Sequence, residues 1–292
     1  MWQNPSHACL THACPTHACL THACPTHACL TEVRPMPDSA VHSDSTLFSD
    51  ADIRQIRVDL AASFRWFVKL NMHEAVGNHF SAAVSPDGSK FLMNPRCIHF
   101  SRVTASNLQL LDAHDKRILE TPQAPDPTAW YIHGRLHAKL PQARCIMHLH
   151  PKHATALSAL ADSRILPIDQ TTMRYYSNVA YDEAFGGMAL SDEEGDRLAG
   201  LMSGGKTVMM MGNHGVLVAA SSVALAFDLM YYLERACETQ MIAMATGQKL
   251  RIASDNVAKV TARQWEEYPG LADDHLREVK AILDREQPDY RH

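Results

Sequence analysis

The residues best placed to do chemistry lie in Cys145-Ile146-Met147-His148-Leu149-His150, an apolar run ending in two histidines two positions apart. A β-strand has a side-chain period of two, so His148 and His150 are expected on one face. Two imidazoles so placed could grip one divalent metal ion. A third ligand is available in Met211-Gly212-Asn213-His214-Gly215, which lies between the apolar runs 208–211 and 216–220 and reads as a hairpin tip. Three histidines make an open metal site, with positions left for water and substrate. Zinc, manganese and iron all accept three imidazoles; zinc is the first expectation.

The elements that must position these residues follow from periodicity. Residues 49–72 form a helix capped by Ser49, with Ile53, Ile56, Leu60, Phe64, Phe67 and Val68 at helical spacing. Short strands are expected near 80–84, 90–93 and 108–112, the first two joined by the turn Pro86-Asp87-Gly88. A helix over 128–139 leads into the strand 145–150, and a short helix follows Pro151. Ser191-Asp192-Glu193-Glu194 is a capping box opening a helix to residue 202. Strands 207–211 and 216–220 flank His214. A long helix capped by Ser221 or Ser222 runs to about 245, and a weaker helical region covers 265–283. The run Met209–Met211 reads as strand core. Hairpins mixed with helical crossovers imply a three-layer α/β/α fold around one central, mostly antiparallel mixed sheet.

The chain has 292 residues, 46% hydrophobic and 20% charged, which suits a soluble globular protein with a sizeable core. A net charge of −5 argues against a general nucleic-acid binder. No apolar stretch approaches the ~20 residues that span a bilayer, and no basic region followed by an apolar block marks a signal peptide. The expected location is the cytoplasm. Five of the eight cysteines fall in a His-Ala-Cys-Leu/Pro-Thr repeat over residues 7–31. A five-residue period fits neither helix nor strand, and the repeat reads as a translated tandem DNA repeat upstream of Met36. Residues 1–47 are expected to be a disordered extension, 48–250 the main domain and 251–292 a C-terminal helical extension. Cys97, Cys145 and Cys237 suit a reducing compartment.

Taken together, Asn78-His79-Phe80-Ser81, Asn94-Pro95, Val103-Thr104-Ala105-Ser106, the helix with His133, Met147-His148-Leu149-His150, Asn213-His214-Gly215 and Tyr231-Tyr232-Leu233-Glu234-Arg235-Ala236 resemble the class II aldolase/adducin family over roughly residues 50–250. The texture is closer to the adducin-like bacterial and fungal branch than to the sugar-phosphate aldolases. The resemblance implies that His148, His150 and His214 hold a zinc-type ion that stabilises an enediolate. It also implies a homotetramer with active sites at subunit interfaces. Where the aldolases carry a glutamate acid/base, this chain has Ala129. Arg96-Cys97 and Pro127-Thr128 replace their phosphate-binding pairs, and His79 replaces an asparagine.

These departures point away from a sugar phosphate and towards a small carboxylate substrate. His79 and Arg96 could bind that carboxylate together, with Asn78 and Arg174 as further substrate-binding candidates. Tyr176 and His133 are the catalytic candidates, Tyr176 as a proton donor and His133 as a group orienting a ligand or a carbonyl. Asp182 and Glu183 are nearby carboxylates that could replace the missing glutamate. The expected activity is metal-dependent C–C cleavage, retro-aldol or decarboxylation, of a hydroxy- or keto-acid through a stabilised enolate. A non-haem Fe(II) oxygenase and a non-catalytic adducin-like binding protein are the alternatives.

Overall fold

The structure is a computed structural model, and it describes residues 46–292. The expectations for the repeat and most of the N-terminal extension therefore lie outside the described residues. The expected helix is α1 (Asp50–Lys69), with the Ser49 side chain accepting from the Asp52 N–H. Strands β1 (His79–Ala83) and β2 (Lys90–Met93) form the expected hairpin, and β3 (Gln109–Asp112) adds to its edge. Then come α2 (Pro127–Lys139), β4 (Cys145–Leu149) and α3 (Lys152–Ser158). A single-turn α4 (Gln170–Met173) precedes β5 (Val179–Asp182) and α5 (Asp192–Leu201). The hairpin β6 (Val208–Met211) and β7 (Gly215–Ala220) leads to α6 (Val223–Ala245), α7 (Asp255–Glu267) and α8 (Leu271–Glu286).

The seven strands lie in the order β3-β2-β1-β4-β7-β6-β5. Every pairing is antiparallel except β5 with β6. Strand alternation sorts the core into two layers. Phe80, Met147, Val216, Val218 and Met210 pack under α1, α6 and α8. Ile146, Leu217, Ala219, Met209 and Met211 face α2 and α5. This is the expected three-layer α/β/α arrangement, and the methionine run is buried strand core. Stacking of Phe64 on Phe80, with ring centroids 4.3 Å apart, and of Phe67 near Phe227 at 5.0 Å ties α1 to the sheet and to α6.

The C-terminal helical region consists of two helices, α7 and α8. Tyr268-Pro269-Gly270 interrupts it, and Gly270 takes φ 71°, a left-handed conformation that glycine adopts without steric cost. Leu276, Val279, Leu283 and Tyr290 join the core beneath α1 and α6, so this segment completes the main body. Arg65 anchors it, donating from Nε to the Val103 carbonyl (2.9 Å) and from Nη2 to Asp289 (2.7 Å). Among the described residues no helix is long and apolar enough to cross a membrane.

Candidate metal centre

His148 sits on β4, on the sheet face that carries Ile146 towards α2 and α5, and His150 follows just past the strand end with the same parity. His214 stands at the β6–β7 tip. The turn works because Asn213 accepts a left-handed φ of 56°, as asparagine does more readily than most residues. Gly215 is required for a different reason: a Cβ there would lie 2.3 Å from His150 Cδ2 and 2.8 Å from the Leu149 carbonyl. The ligand nitrogens of His148, His150 and His214 all lie within 4.8 Å of one another.

The hydrogen bonds around this triad set which nitrogens are free. His148 Nδ1 lies 3.0 Å from the Val216 carbonyl, which can only accept, so Nδ1 carries the hydrogen. His150 Nδ1 lies 2.6 Å from the Glu74 carboxylate and donates to it. The two Nε2 atoms then face each other at 3.0 Å. Two lone pairs so close repel unless a proton or a cation lies between them. A cation bound at about 2.0–2.1 Å to each imidazole fits that separation. Burial, followed by the nearby His150, pushes His214 down to about 4, which keeps it an unprotonated ligand at neutral pH. The donor set therefore fits a divalent metal. Orientation of a ligating imidazole by a carboxylate or a carbonyl is the usual support for such sites.

The surrounding structure holds the triad in place. The Asn78 Oδ1 accepts from the Glu74 N–H at 2.9 Å and so fixes the loop that presents Glu74. Buried Glu234 on α6 accepts from the His153 and Ala154 N–H groups, both at 2.9 Å, at the α3 N-terminus. This satisfies otherwise orphaned donors just after the His150 turn. The Phe185 ring, 5.8 Å from His214, flanks the exposed side.

Beside the triad, His79 on β1 pairs across to His148 on β4, with their rings 4.8 Å apart. His133 on α2 is fully buried and reaches His79 rather than the triad: His79 Nδ1 and His133 Nε2 are 2.7 Å apart. Arg96 is half exposed, with Nε 4.0 Å from Asp126 Oδ2. Asp126 is the N-cap of α2, its Oδ1 accepting from Thr128 and Ala129. Burial raises its carboxyl, but hydrogen bonds from the Thr128 hydroxyl and from the Ala129 and Thr128 N–H groups outweigh that and hold it below the usual range.

Two expected site residues stand elsewhere. Arg174 is buried against α6: its Nη2 donates to Asp228 at 2.7 Å, and its guanidinium stacks over Tyr232 and Trp265 at 5.1 and 4.7 Å. The structure therefore does not bring Arg174 to the triad. Tyr176 hydrogen-bonds Asp255 at the start of α7, and the structure does not bring it to the triad. Asp182 is likewise taken by Arg197, which holds both its oxygens at 2.8 Å. Sequence reading overlooked Glu74 and Asp126. The Asp126-Pro127 pair, an N-cap acid followed by proline at the first helical position, was the available signal for the second.

Comparison with known proteins agrees with this geometry. The profile of the Class II Aldolase and Adducin N-terminal domain matches residues 58–241. A Pseudomonas aeruginosa protein classed with the class 2 aldolases is 34% identical over 196 residues, covering 67% of this chain and 74% of its own. The Streptomyces niveus protein named decarboxylase NovR is 25% identical over 219 residues, 72% of this chain and 80% of its own. The crystal structure of an aldolase II superfamily protein from Pseudomonas syringae superposes with a TM-score of 0.74 at 30% identity. It covers 84% of this chain and 98% of that one. The chain belongs to the class II aldolase and adducin family.

Proposed function

We propose that this protein is a metal-dependent lyase that cleaves a C–C bond in a small hydroxy- or keto-acid. The observation that carries this reading is the pair of Nε2 lone pairs held face to face at 3.0 Å. A divalent ion held by His148, His150 and His214, with zinc the first choice, would supply Lewis acidity to the oxygen on which negative charge develops. Arg96 binds the substrate carboxylate. Its 4.0 Å separation from Asp126 exceeds a hydrogen bond and leaves its fork free for a bidentate contact. Asp126, ionised at neutral pH, interacts with both His79 and Arg96, and we assign it the proton exchange that Ala129 cannot perform. His133 acts by orienting His79. The existence of a NovR-like decarboxylase in the family favours decarboxylation among the C–C cleavages. The assembly proposed is a homotetramer in the cytoplasm.

The test is product analysis on a panel of hydroxy- and keto-acids with zinc, manganese or iron supplied. Release of carbon dioxide or an aldehyde, lost in His148→Ala, is expected. Turnover that consumes oxygen and needs Fe(II) would replace the lyase with an oxygenase. Full turnover in His148→Ala would end the reading altogether.

A further inference from the structure

Behind the triad, two residues of β1 and two of α2 interlock into a chain of hydrogen bonds that has a direction. His79 and Ser81 share one face of the strand, and His133 and His137 lie one turn apart on the helix, so each pair meets the other. At the far end, His137 Nδ1 lies 2.5 Å from the Ala143 carbonyl. A carbonyl has no proton to give, so the hydrogen is on Nδ1, and in a neutral imidazole Nε2 is left as an acceptor. Its partner at 2.7 Å is the Ser81 hydroxyl, which must donate. That hydroxyl has one hydrogen, so towards His133 Nδ1, 2.5 Å away, it can only accept. His133 therefore carries its hydrogen on Nδ1, and its Nε2 accepts from His79 Nδ1 at 2.7 Å.

Each step leaves the next no choice, and the last atom in the series is His79 Nε2, a bare lone pair. The three rings are 0–4% exposed. Burial pushes His137 down to about 3 and His133 well below its usual value, consistent with neutral imidazoles at the far end of the chain. His79 Nε2 has no hydrogen-bond partner among the described residues. The ring's two nitrogens diverge, so with Nδ1 aimed at α2 the other points away from it. The ring lies against His148 and interacts with Asp126. It is not one of the three clustered ligands.

We infer that the Ala143–His137–Ser81–His133 chain locks His79 as its Nδ1–H tautomer, so that His79 accepts a hydrogen bond from a substrate hydroxyl. His79 therefore does not share the carboxylate with Arg96, since a lone pair facing a carboxylate repels it. Arg96 takes the carboxylate and His79 takes the hydroxyl beside it, which narrows the substrate class to 2-hydroxy acids that also carry the carbonyl whose oxygen takes up the negative charge on C–C cleavage. The tautomer follows from the hydrogen bonds of a chain that begins at the neutral, buried His137; the substrate class rests also on the proposed function.

The experiment is solid-state 15N NMR of the full chain labelled in its histidine rings, with the His79 signals identified by their loss in His79→Asn. A protonated Nδ1 and an unprotonated Nε2 are expected. An Nε2–H tautomer or an imidazolium at neutral pH would overturn the inference, whatever the protein's metal content or activity. On zinc-loaded protein, glycolate should perturb the His79 Nε2 resonance and bind at least tenfold more tightly than acetate. Equal response to the two acids, or none, would overturn the hydroxyl assignment and leave the lyase reading to its own test. In Ser81→Ala the chain loses its direction: His79 should populate both tautomers, and the glycolate preference should shrink towards one. An unchanged tautomer in that variant would mean that Ser81 does not set it.

Discussion

Two histidine clusters share one face of this sheet, and they use the same side chain in opposite ways. In the triad, acceptors take the Nδ1–H of His148 and His150, and the Nε2 lone pairs converge. In the chain of His79, His133 and His137, each donor meets an acceptor, and a single lone pair is left at one end. An open cluster calls for a cation, whereas a closed one needs none and can only set orientation. Residue type alone does not separate the two; the identity of the group on the second nitrogen does.

The comparison can be broken at several points. The largest effect is expected from His148→Ala, which removes the ligand at the centre of the triad and should abolish stoichiometric metal binding, as read by calorimetric titration. Arg174→Ala strips the partner from fully buried Asp228, leaving it only His275 at 2.7 Å. It should cost about 3–5 kcal/mol of stability in urea unfolding while metal affinity per folded molecule stays unchanged. A loss of affinity there would place Arg174 in the site after all. Glu74→Gln keeps the shape but weakens the acceptor on His150 Nδ1, and metal affinity should drop about 10–100-fold.

Acid should separate the clusters from the rest of the fold. His79 and His214 are lowered to about 4, His137 to about 3, and His133 and His148 are also depressed. For such groups the unfolded chain binds more protons, so stability falls as pH drops below about 6.5 and levels off only once the folded-state values are passed. Urea midpoints of metal-free protein should decline between pH 6.5 and 4, with a slope exceeding one proton. A flat profile would mean that these rings are not buried neutral. The smallest effect is expected from Asp126→Asn. Asparagine caps a helix about as well as aspartate, so stability should hold within ~0.5 kcal/mol while turnover falls. Unchanged turnover would remove Asp126 from the chemistry.

Much of this was legible in the sequence because it depended on local period. His148 and His150 obey the strand alternation, His214 sits where two apolar runs fold back, and Ser49, Ser191 and Ser222 cap helices close to where their spacing placed them. The four-residue strand β5 was too short to show alternation and is held by parallel pairing with β6. Pro269-Gly270 announced the break between α7 and α8, but amphipathic spacing continues on both sides and masked it. The hardest features were partners distant in sequence. Glu74 lies 76 positions from His150 and Asp228 lies 54 from Arg174. Nothing local to an arginine or a histidine tells whether its charge or its second nitrogen is already taken.

The most direct test of the central claim is elemental analysis of the untagged full chain beside its His148→Ala variant, both metal-reconstituted and desalted. The N-terminal His/Cys repeat is common to both, so any metal it retains cancels in the difference. One equivalent more of a divalent metal in the native protein is the predicted result. Equal metal content in the two proteins would contradict the account.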